Sequence, residues 1–263
     1  MLGRIYAIGL NTFREATRHW VLYGVIIAVL LLNLGGLVLG EMSLQQQPRV
    51  ARDVGLFGMS FFGAFTAIYL GVRLLYGEIE RKTIYNIVCK PIARYEFVLG
   101  KYLGMTMSLS LMVAAFALAT ALQLVVLDVD FSQAVVKAVV LAYAEVLVVA
   151  AIAIFFSSFS TPFLSGLFTF LIFFLGRVTP EIRAAADKAQ SEVIRSVADL
   201  ALGPLPDLHL FSISGASVGG EHVTVHGDFV GWDYVGLAGG WAILYIATLL
   251  ILSVLIFSRR NFT

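Results

Sequence analysis

From Val21 onward the chain breaks into long runs with almost no charge, and most are long enough to cross a bilayer. About 20 apolar residues in helical form traverse the hydrocarbon core, because a helix satisfies its own backbone hydrogen bonds there. Six windows approach or exceed that length: Val21 to Leu39, Val54 to Tyr76, Phe97 to Leu127, Val135 to Phe156, Pro162 to Gly176 and Tyr234 to Phe257. The runs are continuous rather than alternating, which argues against a barrel of short strands. A chain of 263 residues that is 59% hydrophobic and 13% charged, with mean hydropathy +0.90, is too apolar for a soluble domain. The expected fold is an all-α polytopic membrane protein with six transmembrane helices, treated as one domain over residues 1–263.

Basic residues set the expected orientation. Three precede the first span (Arg4, Arg14, Arg18), six lie between Arg73 and Lys101, and Arg259 and Arg260 follow the last span. The short opposite loops carry only Arg49, Arg52 and Lys137. The positive-inside tendency then places both termini in the cytoplasm of a multi-pass cell (inner) membrane protein. Residues 2–19 read as an N-terminal interfacial helix, with Leu2, Ile5, Tyr6, Gly9, Leu10 and Phe13 able to share an apolar side. No small-residue cleavage site follows a short apolar core, so no cleaved leader is expected. The net charge of +1 gives no reason to expect a nucleic-acid partner. The single cysteine, Cys89, excludes an intrachain disulfide.

The densest charge lies in Gly77 to Lys101, GEIERKTIYNIVCKPIARYEFVLGK. Its net positive balance places it on the cytoplasmic side. Ile79, Thr83 and Ile87 recur every four residues, with Ile84 and Val88 beside them, while Glu78, Arg81 and Lys82 occupy other faces. Pro91 breaks the pattern and pushes Lys90 towards an extended backbone. A short amphipathic helix, a kink and a return to the membrane follow from this, within a segment bounded at 77–96.

A second polar stretch spans residues 177–233 and is expected outside. Thr179-Pro180-Glu181 reads as a helix start, with a cap, proline at the first position and an acid in the first turn. Ile182, Ala186, Ala189, Val193, Val197 and Leu200 fall at helical spacing, giving an external amphipathic helix before the last span. Gly203-Pro204 ends it. Residues 205–232, with alternation in HVTVHGDFV, suggest a small hairpin or lid.

Few residues suggest chemistry. Gly100-Lys101 is followed by Tyr102 and lacks the upstream glycine of a phosphate loop, so no ATP site is visible in this chain. His209, His222 and His226 share the external segment with Asp207, Glu221 and Asp228, but their spacing fits no closed metal site; polar loop residues are the simpler reading. Glu145 stands in the middle of the fourth span, where a carboxylate costs about 2.5–3.5 kcal/mol and faces protein or water. It is a candidate lining residue of a translocation path or, more simply, a hydrogen-bonding partner of Ser or Thr on the third span. The phenylalanines from Phe155 to Phe174 suit packing or lipid contact.

With this topology in place, the charged segment resembles the first cytoplasmic loop of ABC-2 type transporter permeases. Glu78, Glu80, Thr83, Pro91, Arg94, Gly100 and Lys101 match that pattern in order. Lys82 stands where many members have glycine, and Arg-Lys-Thr is similar to a branch that includes the nitrous-oxide reductase maturation permease. The resemblance covers nearly the whole chain and implies a permease subunit of an exporter. It implies a cytoplasmic coupling helix that docks on a separate ATPase through Glu78, Ile79, Glu80, Arg81, Lys82, Thr83, Ile84, Val88, Pro91 and Arg94. Two ATPase copies, a second permease copy as homodimer, and ATP with Mg on the partner are implied with it. The chain itself is then not an enzyme. Two alternatives stay open: an ion-driven secondary transporter with Glu145 as proton site, and a mechanical anchor acting on an external or periplasmic protein. The first predicts an inverted repeat and broken helices, and neither is visible in the sequence.

Overall fold

The computed structural model describes residues 2–42, 47–80, 93–127, 133–188, 200, 203, 205–212, 216–218, 221–223 and 231–259. Among these, seven α-helices follow in order: α1 (Leu2–Thr17), α2 (Trp20–Met42), α3 (Gln47–Glu80), α4 (Arg94–Val126), α5 (Gln133–Ser157), α6 (Pro162–Lys188) and α7 (Trp232–Arg259). Between α6 and α7 lie a 3-10 turn, Leu208–Phe211, and an antiparallel hairpin of β1 (Ala216–Val218) and β2 (Glu221–Val223). In its register Ser217 faces His222. The six helices from α2 to α7 are each long and apolar enough to cross a membrane. The protein is an all-α polytopic membrane protein.

Several helices overrun the expected spans. α3 is 34 residues long, roughly 51 Å at 1.5 Å per residue. It takes in residues 47–53, expected as loop, and Gly77–Glu80, expected to open a separate short helix. Extending a formed helix adds a hydrogen bond for each residue fixed, whereas starting a new one is costly. Residues 81–92, with the rest of the expected coupling helix, lie outside the described residues.

α6 departs further from expectation. The fifth span and the helix expected from Thr179 are one continuous element with Pro180 inside it. Thr179 therefore does not cap a helix; its hydroxyl donates to the Leu175 carbonyl one turn back, at 2.8 Å. Proline removes one N–H from the ladder, and hydroxyls and neighbouring segments compensate for that loss in membrane helices. Arg177, expected at the start of the external segment, is thus held in a spanning helix. Of the amphipathic stripe, Ile182, Ala186 and Leu200 are described, Ala186 buried and Leu200 exposed; Ala189, Val193 and Val197 lie outside the described residues.

α3 and α5 form the centre of the bundle. Their spanning windows are 67% and 61% buried, against 28% for α2, α6 and α7. Hydrocarbon chains give helices no hydrophobic reason to associate, so close backbone approach matters. A Cβ at Gly63 would lie 2.6 Å from Val146 Cγ2, and one at Gly71 would lie 2.4 Å from Ala153 Cβ. Facing them, α5 buries Val146, Val149, Ala150 and Ala153 completely. The outer surface is apolar, with Leu31 on α2, Leu118 on α4, Phe163 on α6 and Leu244 on α7 all exposed, as lipid contact requires.

α1 packs on the start of α4 through glycines. A Cβ on Gly104 would meet the Gly9 carbonyl at 2.5 Å, and one on Gly100 would meet Ile8 Cβ at 2.7 Å. The buried face of α1 holds Gly9, Thr12 and Ala16, whereas Tyr6 is exposed. That face is rotated from the expected one, because glycine rather than side-chain bulk decides where two helices can touch.

Candidate functional site

Glu145 is completely buried, and the bundle supplies two partners for it. Ser60 on α3 donates a short hydrogen bond to Oε2. Arg177 on α6 places Nε 3.4 Å from Oε1, an ion pair without hydrogen-bond geometry to that oxygen. The Arg177 guanidinium also lies 5.7 Å from the centre of the Phe173 ring. Three spanning helices therefore meet at one charge. The hydroxyl expected from the third span comes instead from the second, and the charged partner comes from α6. An intramembrane carboxylate calls for a cation at similar depth, and Arg177 was removed from consideration by the assumed helix end after Gly176.

The segment after α6 folds back over this pair. Leu208 and Phe211 are buried. A cavity of about 20 Å³ is lined by Ser60, Arg177, Phe211 and Ser212 together with Leu56, Ala138 and Ala142, room enough for one water molecule. The Pro206 carbonyl passes so close to α6 that a Cβ on Gly176 would approach it to 2.6 Å. On the other side the Tyr234 hydroxyl donates to the Leu210 carbonyl at 2.7 Å, and the Phe211 and Trp241 rings lie 6.0 Å apart. Residues 205–212 thus form a plug between α5, α6 and α7. His209 sits in the plug and is buried. Its imidazole is held below the usual value by that burial, against the opposing pull of Glu181 and Asp207. Asp207 in turn lies 3.9 Å from Arg183.

A second cluster marks the exit of the charged segment. Arg94, the first residue of α4, donates to the Phe257 carbonyl at 3.0 Å and the Ser258 carbonyl at 2.7 Å. It thereby satisfies carbonyls that the end of α7 leaves without helical partners. Phe97 and Phe257 stack beside it, 5.8 Å apart. Glu96 accepts from the Ala93 amide at 3.2 Å, half of a capping box, and lies 3.9 Å from Arg4 of α1. Lys101, one helical turn on, is buried with Nζ 3.8 Å from Glu15 of α1. The start of α4 is therefore tied to α1 and to α7, which puts the start of α1 and the end of α7 at the same end of the bundle.

The remaining candidates fall as follows. Glu78, Ile79 and Glu80 are the last residues of α3. Arg81, Lys82, Thr83, Ile84, Val88 and Pro91 lie outside the described residues, as does His226. His209 and His222 lie in different elements, the 3-10 turn and β2. Among the described residues no three His, Cys, Asp or Glu side chains come together as a metal site. Phe155, Phe156, Phe159 and Phe168 pack against one another, while Phe163 and Phe174 are exposed.

A helical bundle with six candidate spans, a charge pair shared by three of them and an arginine clamp at one end defines a multi-pass membrane protein. Residues 11–262 match the family model described as ABC-2 family transporter protein, and the chain belongs to that family. No curated protein matches it. Membership makes it a membrane permease component of an ABC transporter, a transport rather than a catalytic part, associated with an ABC ATPase subunit.

Proposed function

We propose that this chain is the permease of an exporter in which two copies pair with two separate ATPase subunits, in the inner membrane with both termini cytoplasmic. ATP and Mg are then bound by the partner, since this chain carries no phosphate loop. The segment between α3 and α4 is the docking element, with Ile84 and Val88 as apolar anchors and Glu78, Glu80, Arg81 and Lys82 as a polar rim. Buried anchors within a charged rim are how specific interfaces divide their labour.

The observation that carries this reading is the clamp at Arg94. A force entering through the segment reaches α4 at its first residue, and the same residue grips the end of α7. At the other end of the segment α3 runs without a break from the bundle centre to Glu80. An ion-driven transporter has no need of such attachments around a charged loop. Glu145 and Arg177 then hold the path closed beneath the plug, and export requires that contact to loosen.

The test is co-purification. Glu80→Lys with Ile84→Asp should abolish recovery of the ATPase subunit while the permease still inserts and pairs. Undiminished ATPase recovery would remove the coupling assignment. ATPase activity of the reconstituted complex that rises with a transported solute separates an exporter from a mechanical anchor.

A further inference from the structure

The elbow between α1 and α2 carries positive charge that the coupling reading does not use. Asn11, Arg14 and Arg18 are exposed and fall at spacings of three and four, on one face of α1 and its end. Together with Glu15 and His19 they line an open groove. Arg14 and Arg18 have no ion-pair partner among the described residues. Glu15 is engaged from beneath by Lys101 at 3.8 Å, so its charge does not cancel the two guanidiniums. His19 contributes a buried Nδ1 that has no hydrogen-bond partner among the described residues. The His19 ring packs edge-on against Tyr69 of α3, 6.4 Å between centres. The guanidinium of exposed Arg73 donates to the Tyr69 hydroxyl and lies 5.7 Å from the centre of the Tyr69 ring. Three arginines and an imidazole thus surround one elbow.

The depth of the groove identifies its occupant. Trp20, the first residue of α2, is 77% exposed and Tyr23 is 56% exposed. Exposed aromatic residues at the start of a span mark the boundary between headgroups and hydrocarbon. A basic groove at that level, on α1 and the elbow that leads into the first span, meets lipid phosphates before any soluble anion. We infer that the α1–α2 elbow is a binding site for the phosphodiester headgroup of an anionic phospholipid in the leaflet on the N-terminal side. Arg14 and Arg18 bind the phosphate, and the exposed Asn11 side chain offers hydrogen bonds to its oxygens or to the headgroup hydroxyls. Because α1 is bolted to α4 at Gly100 and Gly104, a lipid held here braces the helix that receives the coupling segment.

This inference rests on the bilayer reading of the fold and not on the direction of transport. It is tested by native mass spectrometry of the full permease, purified with its ATPase, during titration with phosphatidylglycerol, phosphatidylcholine and water-soluble glycerol phosphate. Phosphatidylglycerol should bind and phosphatidylcholine should not. Arg14→Gln with Arg18→Gln should weaken phosphatidylglycerol about 30-fold, as expected for two guanidiniums at an anionic surface. Arg14→Lys with Arg18→Lys should recover most of the affinity, which separates charge from misfolding. Equal binding of both lipids, or equal affinity in the glutamine variant, overturns the site. Glycerol phosphate binding as tightly as the lipid overturns the lipid assignment. ATPase recovery should be unchanged in the glutamine variant, so failure here is distinct from failure of the coupling segment.

Discussion

Removing Arg177 should be worse than removing Glu145, although the two form one pair. At 3.4 Å opposite unit charges attract by about 5 kcal/mol at an effective dielectric of 20. Withdrawing both charges from water offsets much of that. The two partners differ in what remains after the other is lost. The Glu145 side chain has 0% exposure and the Arg177 side chain 20%. Arg177→Gln leaves a fully buried carboxylate with Ser60 as its remaining partner, a change that costs about 3–5 kcal/mol. Glu145→Gln keeps an oxygen for Ser60 to donate to and leaves the guanidinium beside a water-sized cavity. Its cost is about 1.5–3 kcal/mol, the scale of one charge-assisted hydrogen bond. The double glutamine variant should cost about 2 kcal/mol less than the sum of the singles. Thermal unfolding of the detergent-purified permease reads these differences. At about 2–4 °C per kcal/mol for a chain of this size, Arg177→Gln should lower the midpoint by roughly 6–20 °C. Additivity of the two singles to within about 0.5 kcal/mol would show that the charges are not coupled, and the pair would lose its place in the mechanism.

Two further predictions concern the ends of the bundle. Gly104→Ala places a methyl group where the Gly9 carbonyl would lie 2.5 Å away; overpacking of this kind costs about 1–3 kcal/mol, and a cysteine at buried Thr12 should react faster with a maleimide in that background. His209 is held neutral by burial, so the folded plug binds its proton less readily than the unfolded segment. Its stabilisation is then present above the usual value of 6.5 and is lost as pH falls below it towards the lowered folded value. His209→Gln should flatten the pH dependence of amide exchange at Leu208–Phe211, and an unchanged pH profile would remove His209 from the plug's response.

The spans were legible because bilayer thickness imposes a length and the backbone imposes a helix. Their ends were less so. Residues 47–53 were polar enough to read as loop and Gly77–Glu80 as the start of a separate short helix, yet a helix already formed extends through both at little cost. Pro180 was the clearest misdirection. Thr-Pro-Glu is a sound helix start in water, but within α6 the Thr179 hydroxyl turns back to Leu175 and the helix continues. That one boundary hid the Glu145 partner, since Arg177 moved from an assumed loop to the middle of the bundle. Gly100 and Lys101 were picked out by resemblance alone. Their physical roles, a helix crossing with α1 and a buried ammonium near Glu15, depend on which helices become neighbours, and local sequence does not carry that. The plug at 205–212 was expected only loosely, as a lid, because it is placed by contacts with α5, α6 and α7 rather than by any pattern of its own.

α3 joins the two clusters mechanically. Its last residue, Glu80, leads into the charged segment, and Ser60 lies 20 positions back, about 30 Å along the helix. Between them Gly63 and Gly71 hold α3 against Val146 and Ala153 of α5, leaving no side chain on α3 at those points to absorb a displacement. A packed helix moves as a body, so a tilt at Glu80 has to appear at Ser60. Ser60 donates to Glu145, and Glu145 holds Arg177, whose neighbours across the cavity are Phe211 and Ser212 of the plug. Under the proposed docking, a force on the charged segment also enters α4 at Arg94 and is shared there with α7, which holds the other flank of the plug through Tyr234 and Trp241. Both routes from the charged segment therefore end on the plug from opposite sides. A displacement that pulls α3 and α7 apart loosens it from both, whereas loss of either route alone leaves one side held.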